Sequence, residues 1–302
     1  MRILLPSLLV LMLAATPAVA QQIEPRAFSN APTGVNFLLV GYAYADGSVV
    51  VDETLPLKDA SLAVNAMVAG YVHSLNVGGL HGAVSAVLPY AWVDGTAMAF
   101  GAPLHREVDG FGDFALRFSV NVIGSPALSL EQFKSYRQKT IVGASMNVSA
   151  PTGQFESGKL VNISTHRWSV RPEIGVSHVI DKWTFELATA VSFFTDNDDF
   201  FPGGKRREQA PIYSLQGGVV RSLPYGMWTS LNGTYFTGGR STIDGVQNDD
   251  RQSNTRAALT FTMPVSRKHS VKLFAATGVS TRTGGDYNLY QVVWQYRWGG
   301  GI

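Results

Sequence analysis

The sequence predicts an all-β protein: a closed antiparallel transmembrane β-barrel of about 12 strands, with short periplasmic turns and longer outer loops. Three observations predict this fold. The first residues have the form of an export signal, and apolar and polar residues alternate through many short segments. The connections between those segments are alternately short and long.

The first twenty residues are typical of a cleaved signal peptide. Arg2 supplies the positive charge, an apolar run follows, and Ala18-Val19-Ala20 is a small-residue cleavage site that leaves Gln21 as the mature start. The alternative, an anchor helix, needs about 20 apolar residues, more than this run offers. We therefore expect a signal peptide at 1–20, a periplasmic segment at 21–33 and the barrel at 34–302.

Composition restricts the class of protein. The chain has no cysteine, 31 glycines and only 15% charged residues, so disulfides, thiol catalysis and cysteine-based metal sites are excluded. The formal net charge of +2 gives no reason to expect nucleic acid as a partner. No apolar run after the signal is long enough for a membrane helix.

Alternation is clearest in the last segment. One parity is apolar and aromatic: Tyr290, Val292, Trp294, Tyr296 and Trp298. The other parity is mostly polar: Gln291, Val293, Gln295 and Arg297. Since successive side chains of a strand point to opposite faces, this pattern predicts one lipid-facing side and one lumen-facing side.

The same pattern predicts twelve strands, at 34–45, 62–75, 80–92, 112–123, 140–150, 166–180, 183–195, 212–222, 227–237, 254–265, 270–281 and 288–298. Tight turns are predicted at 76–79, 181–182, 223–226 and 267–269, and long outer loops at 46–61, 93–111, 151–165, 196–211, 238–253 and 282–287. The long periplasmic connection 124–139 is predicted to hold a short amphipathic helix capped by Ser129.

The predicted sheet must close into a barrel because its solvent is the lipid of the membrane. In hydrocarbon every backbone N–H and C=O group must be paired within the protein, so a sheet there must close. A soluble β-sandwich would instead bury its aromatic faces against each other. Tryptophans near predicted strand ends favour the membrane, because indole suits the lipid–water interface; they are Trp92, Trp168, Trp183, Trp228, Trp294 and Trp298.

Short blocks follow one another in a fixed order along the chain: 110–113 (GFGD), 124–127 (GSPA), 140–143 (TIVG), 151–153 (PTG), 167–168 (RW), 172–175 (PEIG), 195–200 (TDNDDF), 209, 211–213 (PIY), 235–239 (YFTGG), 281–284 (TRTG) and 295–299 (QYRWG). In this order they resemble the outer-membrane proteins named for a MetA pathway of phenol degradation. The resemblance implies a transporter-like barrel associated with uptake of aromatic or other hydrophobic compounds. The tail 299–302 lacks the final aromatic residue usual in such barrels, which implies less typical recognition by the barrel-assembly machinery.

Polar residues on the inward parity are candidates for lining the lumen: Arg117, Asn121, Asn147, Arg171, Glu173, Glu186, Gln216, Arg256, Lys272 and Arg297. They could orient or filter a solute, or they could form interior ion pairs that fill the bore. We expect Arg171, Glu173 and Glu186 to form one salt-bridge network. Asp196, Asn197, Asp198 and Asp199 are predicted to lie in a solvated outer loop; a divalent cation there, shared with lipopolysaccharide, is the alternative.

No catalytic, cofactor or metal site is expected, because the histidine spacings do not match zinc motifs and no hydrolase nucleophile motif is present. An outer-membrane lipid esterase would have to use His166 with Ser164 and Asn162, or His178 with Ser177.

The sequence thus predicts an outer-membrane channel for passive uptake of small solutes, rather than an enzyme, and the resemblance implies that these solutes are hydrophobic or aromatic. The alternative is a structural or adhesive barrel whose outer loops make the contacts. The expected partners are outer-membrane lipid, lipopolysaccharide, the assembly machinery and the solute. The identity of the solute, an open or plugged lumen, and the oligomeric state do not follow from the sequence.

Overall fold

The computed structural model describes residues 24–48, 57–99, 102–159 and 161–302. The predicted signal peptide and cleavage site at 1–20 lie outside these residues. The strands, in chain order, are β1 Val35–Ser48, β2 Leu57–Val77, β3 Leu80–Ala99, β4 Ala102–Phe111, β5 Phe114–Ile123, β6 Thr140–Ala150, β7 Ser169–Ile180, β8 Trp183–Phe194, β9 Asn197–Phe200, β10 Lys205–Gln209, β11 Ile212–Ser222, β12 Trp228–Gly238, β13 Ser241–Ile243, β14 Val246–Gln247, β15 Gln252–Pro264, β16 His269–Ser280 and β17 Asp286–Gly299.

Twelve of these strands form a closed antiparallel barrel. Each pairs with its neighbour in the order β1, β2, β3, β5, β6, β7, β8, β11, β12, β15, β16 and β17. The ring closes where β17 pairs with β1, from Val35 opposite Gly299 to Ser48 opposite Asp286. All twelve predicted strands correspond to one of these, so the predicted fold is confirmed.

Two predicted connections are wholly or partly sheet rather than loop. β2 and β3 run for 21 and 20 residues, well beyond the ~9–11 that cross a membrane. β4 continues the pairing beside the outer half of β3, so most of the predicted loop 93–111 is a protruding hairpin. The predicted strand at 166 begins at Ser169 instead, because His166 has a positive φ of 54°.

A second small sheet lies in the outer connections. β9, β10, β13 and β14 pair with each other, so the predicted loops 196–211 and 238–253 are partly strand. These strands are two to five residues long, too short for alternation to mark them in the sequence.

The outer face of the barrel is apolar. Large hydrophobic side chains are exposed at every second position, for example Leu231 (64%), Leu259 (56%) and Val292 (50%), on strands from different parts of the ring. A continuous exposed apolar surface of this kind is what a lipid-facing belt requires. Trp228 is the exception to the predicted interfacial tryptophans: it points into the barrel and is 2% exposed.

The periplasmic connection holds the predicted helix. α1 spans Leu130–Ser135, and Ser129 caps it in a reciprocal capping box with Gln132. Among the described residues, no helix combines the length and the hydrophobicity needed to cross a membrane.

Candidate functional site: the barrel lumen

The structure places all ten predicted lumen-lining residues on the inner face of the barrel. Arg117, Arg171, Arg256, Lys272 and Arg297 are each at most 7% exposed, although their side chains are basic. Their side chains alternate with the lipid-facing residues of the same strands, as period two requires. The inner face of β1 to β3 is different, because it is built from an apolar cluster that includes Val35, Phe37 and Leu39.

Residues 24–33, here called the N-terminal segment, lie inside the lumen. The sequence places residues 21–33 in the periplasm, and the structure shows otherwise for the described part. At the periplasmic end the Thr33 N–H donates to the Leu128 carbonyl at 2.8 Å, and the Asn30 amide donates to the Pro126 carbonyl at 3.1 Å. Asn30 is 1% exposed and Phe28 4%, so the segment is enclosed by the wall.

Ion pairs fix the inner end of this segment. Arg117 on β5 binds the Glu24 carboxylate and also Glu173 on β7, the latter at 3.1 Å. Arg171 binds Glu173 at 3.0 Å. The predicted Arg171–Glu173 pair is therefore present, and Glu24 from the segment completes the network.

Glu186 has a role that the sequence did not predict. Its carboxylate accepts the backbone N–H of Arg26 at 2.9 and 3.0 Å, instead of joining the Arg171–Glu173 pair. On β11 the Gln216 amide donates to the Glu24 carbonyl at 3.3 Å. The wall thus binds both the side chains and the backbone of the segment.

Two glycines on the wall make room for the segment. The Phe28 ring occupies the space that a Cβ atom would take at Gly143 on β6 and at Gly175 on β7. The Arg117 guanidinium lies 5.8 Å from the centre of the Phe28 ring, and Arg26 lies 5.5 Å from the inward-facing Trp228. In the sequence, the only trace of this fit is a glycine at matching inward positions of two neighbouring strands.

The opposite side of the lumen, formed by the inner faces of β12, β15, β16 and β17, is here called the cationic wall. Several of its buried polar groups have no hydrogen-bond partner among the described residues: the Ser230, Thr234, Thr260 and Thr262 hydroxyls, the Asn232 amide, the Lys272 ammonium and the Gln295 amide nitrogen. Buried polar groups are rarely left so, which makes this wall a place where water or a solute would bind.

Arg256 and Arg297 bind backbone oxygens on this wall. Arg256 donates to the Tyr287 carbonyl at 2.9 Å and lies 3.8 Å from the centre of its ring. Arg297 donates to the Arg267 carbonyl at 2.8 Å, near the periplasmic end. Neither guanidinium has a carboxylate partner in the described part of the chain.

The acidic outer run is ordered rather than simply solvated. Asp196 and Asp198 lie beside Arg206, and the Asp199 carboxylate accepts the Gly204 N–H at 3.0 Å. Asn197 is 2% exposed, and its amide donates to the Thr165 carbonyl at 3.3 Å. Arg206 adds positive charge next to these carboxylates. Its hydrogen bond to Asp196 holds the pKa of the Arg206 guanidinium above the ordinary value.

The residues proposed for an esterase do not form a nucleophile–base pair. The Ser164 hydroxyl donates to Asp113 at 2.5 Å, while the His166 ring stacks on Phe155. Ser177 points into the lumen and His178 points outward, as neighbouring strand residues must.

A group that the sequence did not indicate lies on the protruding hairpin. Ligand atoms of Asp94, His105 and Glu107 all lie within 4.8 Å of one another on its exposed face. The His105 Nε2 atom is 2.9 Å from Asp94.

Comparisons agree with this architecture. A family profile described as "Putative MetA-pathway of phenol degradation" matches residues 42–291. No curated protein sequence matches the chain. The crystal structure of the COG4313 outer membrane channel from Pseudomonas putida F1 superposes with a TM-score of 0.76 at 20% identity, covering 92% of this chain and 100% of that one.

Autotransporter barrels are more distant. The β domain of the Bordetella autotransporter BrkA gives a TM-score of 0.51 at 9% identity, covering 88% of this chain and all (100%) of the other. The transport unit of AIDA-I from Escherichia coli gives 0.52 at 8% identity, with 92% and 94% covered. At these identities the likeness shows the fold, a closed barrel of the outer-membrane type.

Proposed function

Since the chain belongs to the family described as "Putative MetA-pathway of phenol degradation", we propose that it is an outer-membrane channel for passive uptake of small, hydrophobic or aromatic solutes. A single observation carries this proposal: one side of the lumen binds the N-terminal segment, while the other side keeps several buried polar groups that have no partner in the described part of the chain. A barrel that served only as a scaffold would gain stability by pairing those groups or replacing them.

The likeness to a structure named an outer membrane channel supports transport as the activity. Aromatic solutes are supported by the family description and by aromatic rings that face the lumen, among them Phe28, Trp228 and Phe274. Such rings can stack on a solute ring while the neighbouring hydroxyls and amides bind its polar group.

Conductance tests the channel directly. We expect the purified protein to give discrete current steps in planar bilayers and to admit phenol faster than glucose into liposomes. A folded barrel, verified by heat-modifiable mobility on detergent gels, that gives neither current nor flux would rule out transport. Flux of the sugar alone would retain the channel and exclude the aromatic preference.

The second candidate is a structural or adhesive barrel. The long hairpin of β2, β3 and β4 and the small sheet of β9, β10, β13 and β14 favour it, since both give the outer connections a folded surface that could bind another molecule. This reading requires binding to cells or lipopolysaccharide in the absence of conductance. Deletion of the outer sheet should abolish that binding if adhesion is the function.

The remaining parts of the proposal concern how the protein reaches the outer membrane and what it contacts there. We propose export through the signal peptide at 1–20, assembly by the barrel-assembly machinery, and contact of the outer face with lipid and lipopolysaccharide. Amino-terminal sequencing of the protein from outer membranes should begin at Gln21. No enzymatic activity is proposed, and lipid hydrolysis should be unchanged by His166→Ala.

A further inference from the structure

The fixed charges of the lumen are unevenly distributed. Within the described barrel strands and the N-terminal segment, inward-facing cations are Arg26, Arg117, Arg171, Arg256, Lys272 and Arg297. The inward-facing glutamates of the same residues are Glu24, Glu173 and Glu186, and one aspartate, Asp286 at the start of β17, places its carboxylate beside the inward side of Gly278. The lumen therefore has an excess of positive charge.

The three glutamates are all engaged on the side that binds the segment. Glu24 and Glu173 are paired with Arg117 and Arg171, and Glu186 binds the backbone of Arg26. Four of the six cations have no described carboxylate within 4.0 Å: Arg26 on the N-terminal segment, and Arg256, Lys272 and Arg297 on the cationic wall. Most of the unpaired positive charge thus lies on one side of the lumen.

Lys272 is the most informative of these. It is 3% exposed, it points into the lumen from β16, and its ammonium has no hydrogen-bond partner among the described residues. Glu24 acts on it electrostatically without forming an ion pair. A buried ammonium is costly unless it has a partner, so an anion bound beside it would be strongly favoured.

The groups around Lys272 are suited to an anion. Thr262 lies directly opposite on β15, and the described residues offer its hydroxyl no partner either. Phe274, two residues along the same inner face, offers an apolar ring. An ammonium, a hydroxyl donor and a ring together bind an aromatic or aliphatic carboxylate better than a neutral or cationic molecule.

The three cations are also spread along the axis of the barrel. Arg256 lies toward the outer end of β15, while Lys272 pairs with Thr262 near the periplasmic end and Arg297 lies near the end of β17. Six residues of β15 separate 256 from 262, which is roughly 20 Å of strand at ~3.4 Å per residue. An anion could therefore move from one cation to the next along this wall.

We infer that the channel is selective for small anions, organic carboxylates in particular, and that they pass along the cationic wall over Arg256, Lys272 and Arg297. The inference rests on the proposed channel function and names its solute class. Charged side chains set the selectivity of pores in this way, because their field attracts one sign of ion and repels the other.

The test is the reversal potential in planar bilayers with a gradient of potassium chloride. We expect chloride to be more permeant than potassium, and the double variant Lys272→Met/Arg256→Met to lower the permeability ratio on the order of tenfold. Lys272→Arg should retain the ratio. The matched control is Lys182→Met, which removes a lysine from the exposed turn between β7 and β8.

Liposome uptake gives the second readout. Benzoate should enter faster than the neutral benzyl alcohol through the original protein, and the double variant should lose this difference. Conductance without anion preference, or an anion preference that the double variant keeps, would overturn the inference and leave the channel in place. A folded barrel with no conductance and no flux would rule out both the anion selectivity and the channel function.

Discussion

The two sides of the lumen differ in how their polar groups are satisfied. On β5, β7, β8 and β11, the charged and amide groups bind the N-terminal segment through Arg117, Glu173, Glu186 and Gln216. On the cationic wall, several groups of the same kind and of similar burial, among them Asn232 and Lys272, have no partner among the described residues. Both sides are polar, but the charged groups of the first side are bound by the segment or by each other, with only single atoms such as Glu24 Oε1 and Arg117 Nε left without a described partner.

This difference separates stability from function. A buried ion pair holds its partners in place because breaking it leaves an unpaired charge. An unpaired buried group does the reverse: it costs free energy and is kept only where something else can bind it. Stability should therefore depend on the segment-binding side, and ion flow should depend on the cationic wall.

The largest expected effect comes from Arg117. Arg117→Met removes the common partner of Glu24 and Glu173 and leaves two buried carboxylates without it. We expect the free energy of unfolding to fall by about 3–5 kcal/mol, the usual loss when one member of a buried pair is removed. Urea titration of the barrel in lipid vesicles, followed by tryptophan fluorescence, measures it.

Lys272→Met is the matched control for that experiment. It also replaces a buried cation on the inner wall, but one without a described partner, so the free energy of unfolding should be unchanged or higher. Equal losses in the two variants would show that the two sides do not differ as described.

Docking of the N-terminal segment should depend on Phe28. Phe28→Ala removes the ring that fills the space beside Gly143 and Gly175. A buried Phe→Ala change costs roughly 3 kcal/mol, which corresponds to about a hundredfold larger undocked population. The channel should then conduct more often.

Cysteine labelling measures this docking separately from conduction, since the chain has no cysteine of its own. Ser29, which is 2% exposed, is changed to cysteine with and without Phe28→Ala, and both proteins are treated with a soluble maleimide. Labelling should be slow in the first and fast in the second. Fast labelling in both would mean that the segment does not stay in the lumen.

The barrel could be predicted from the sequence because the alternation of apolar and polar residues that marks each strand is a local pattern. Alternation along residues 290–298 assigns one face to lipid and one to the lumen without any knowledge of the neighbouring strands. The same pattern placed Lys272 and Arg256 on the inner face. It could not show which cations would find carboxylates, since Glu24 is 93 positions from Arg117 in the sequence.

The position of the N-terminal segment inside the lumen cannot be predicted from this alternation, for a physical reason. Residues 24–33 form no strand, so no periodicity marks the side chains that enter the lumen. Their position is set by long-range contacts, such as Phe28 against two glycines on different strands. Trp228 was misplaced for a related reason: a tryptophan at a strand end was assigned to the lipid interface, although its parity and Arg26 place it inside.

The smallest expected effect on the free energy of unfolding comes from replacing either of two asparagines of similar burial. Asn121 and Asn232 are 3% and 2% exposed, but the Asn121 amide donates to Ser29 and Ser125 at 3.2 and 3.0 Å, while Asn232 has no described partner. Leucine has the same branching as asparagine, so Asn121→Leu and Asn232→Leu change hydrogen bonding with little change in shape.

Asn121→Leu should lower the free energy of unfolding by about 1–3 kcal/mol, because the Ser29 carbonyl is left buried without its donor. Asn232→Leu should change it little or raise it, since an amide without a described partner is replaced by an apolar group. Parallel urea titrations of the two variants measure the difference. If Asn232→Leu proved the more destabilising, its amide would have to be bound to ordered water in the empty channel, and the cationic wall would be hydrated before any solute arrives.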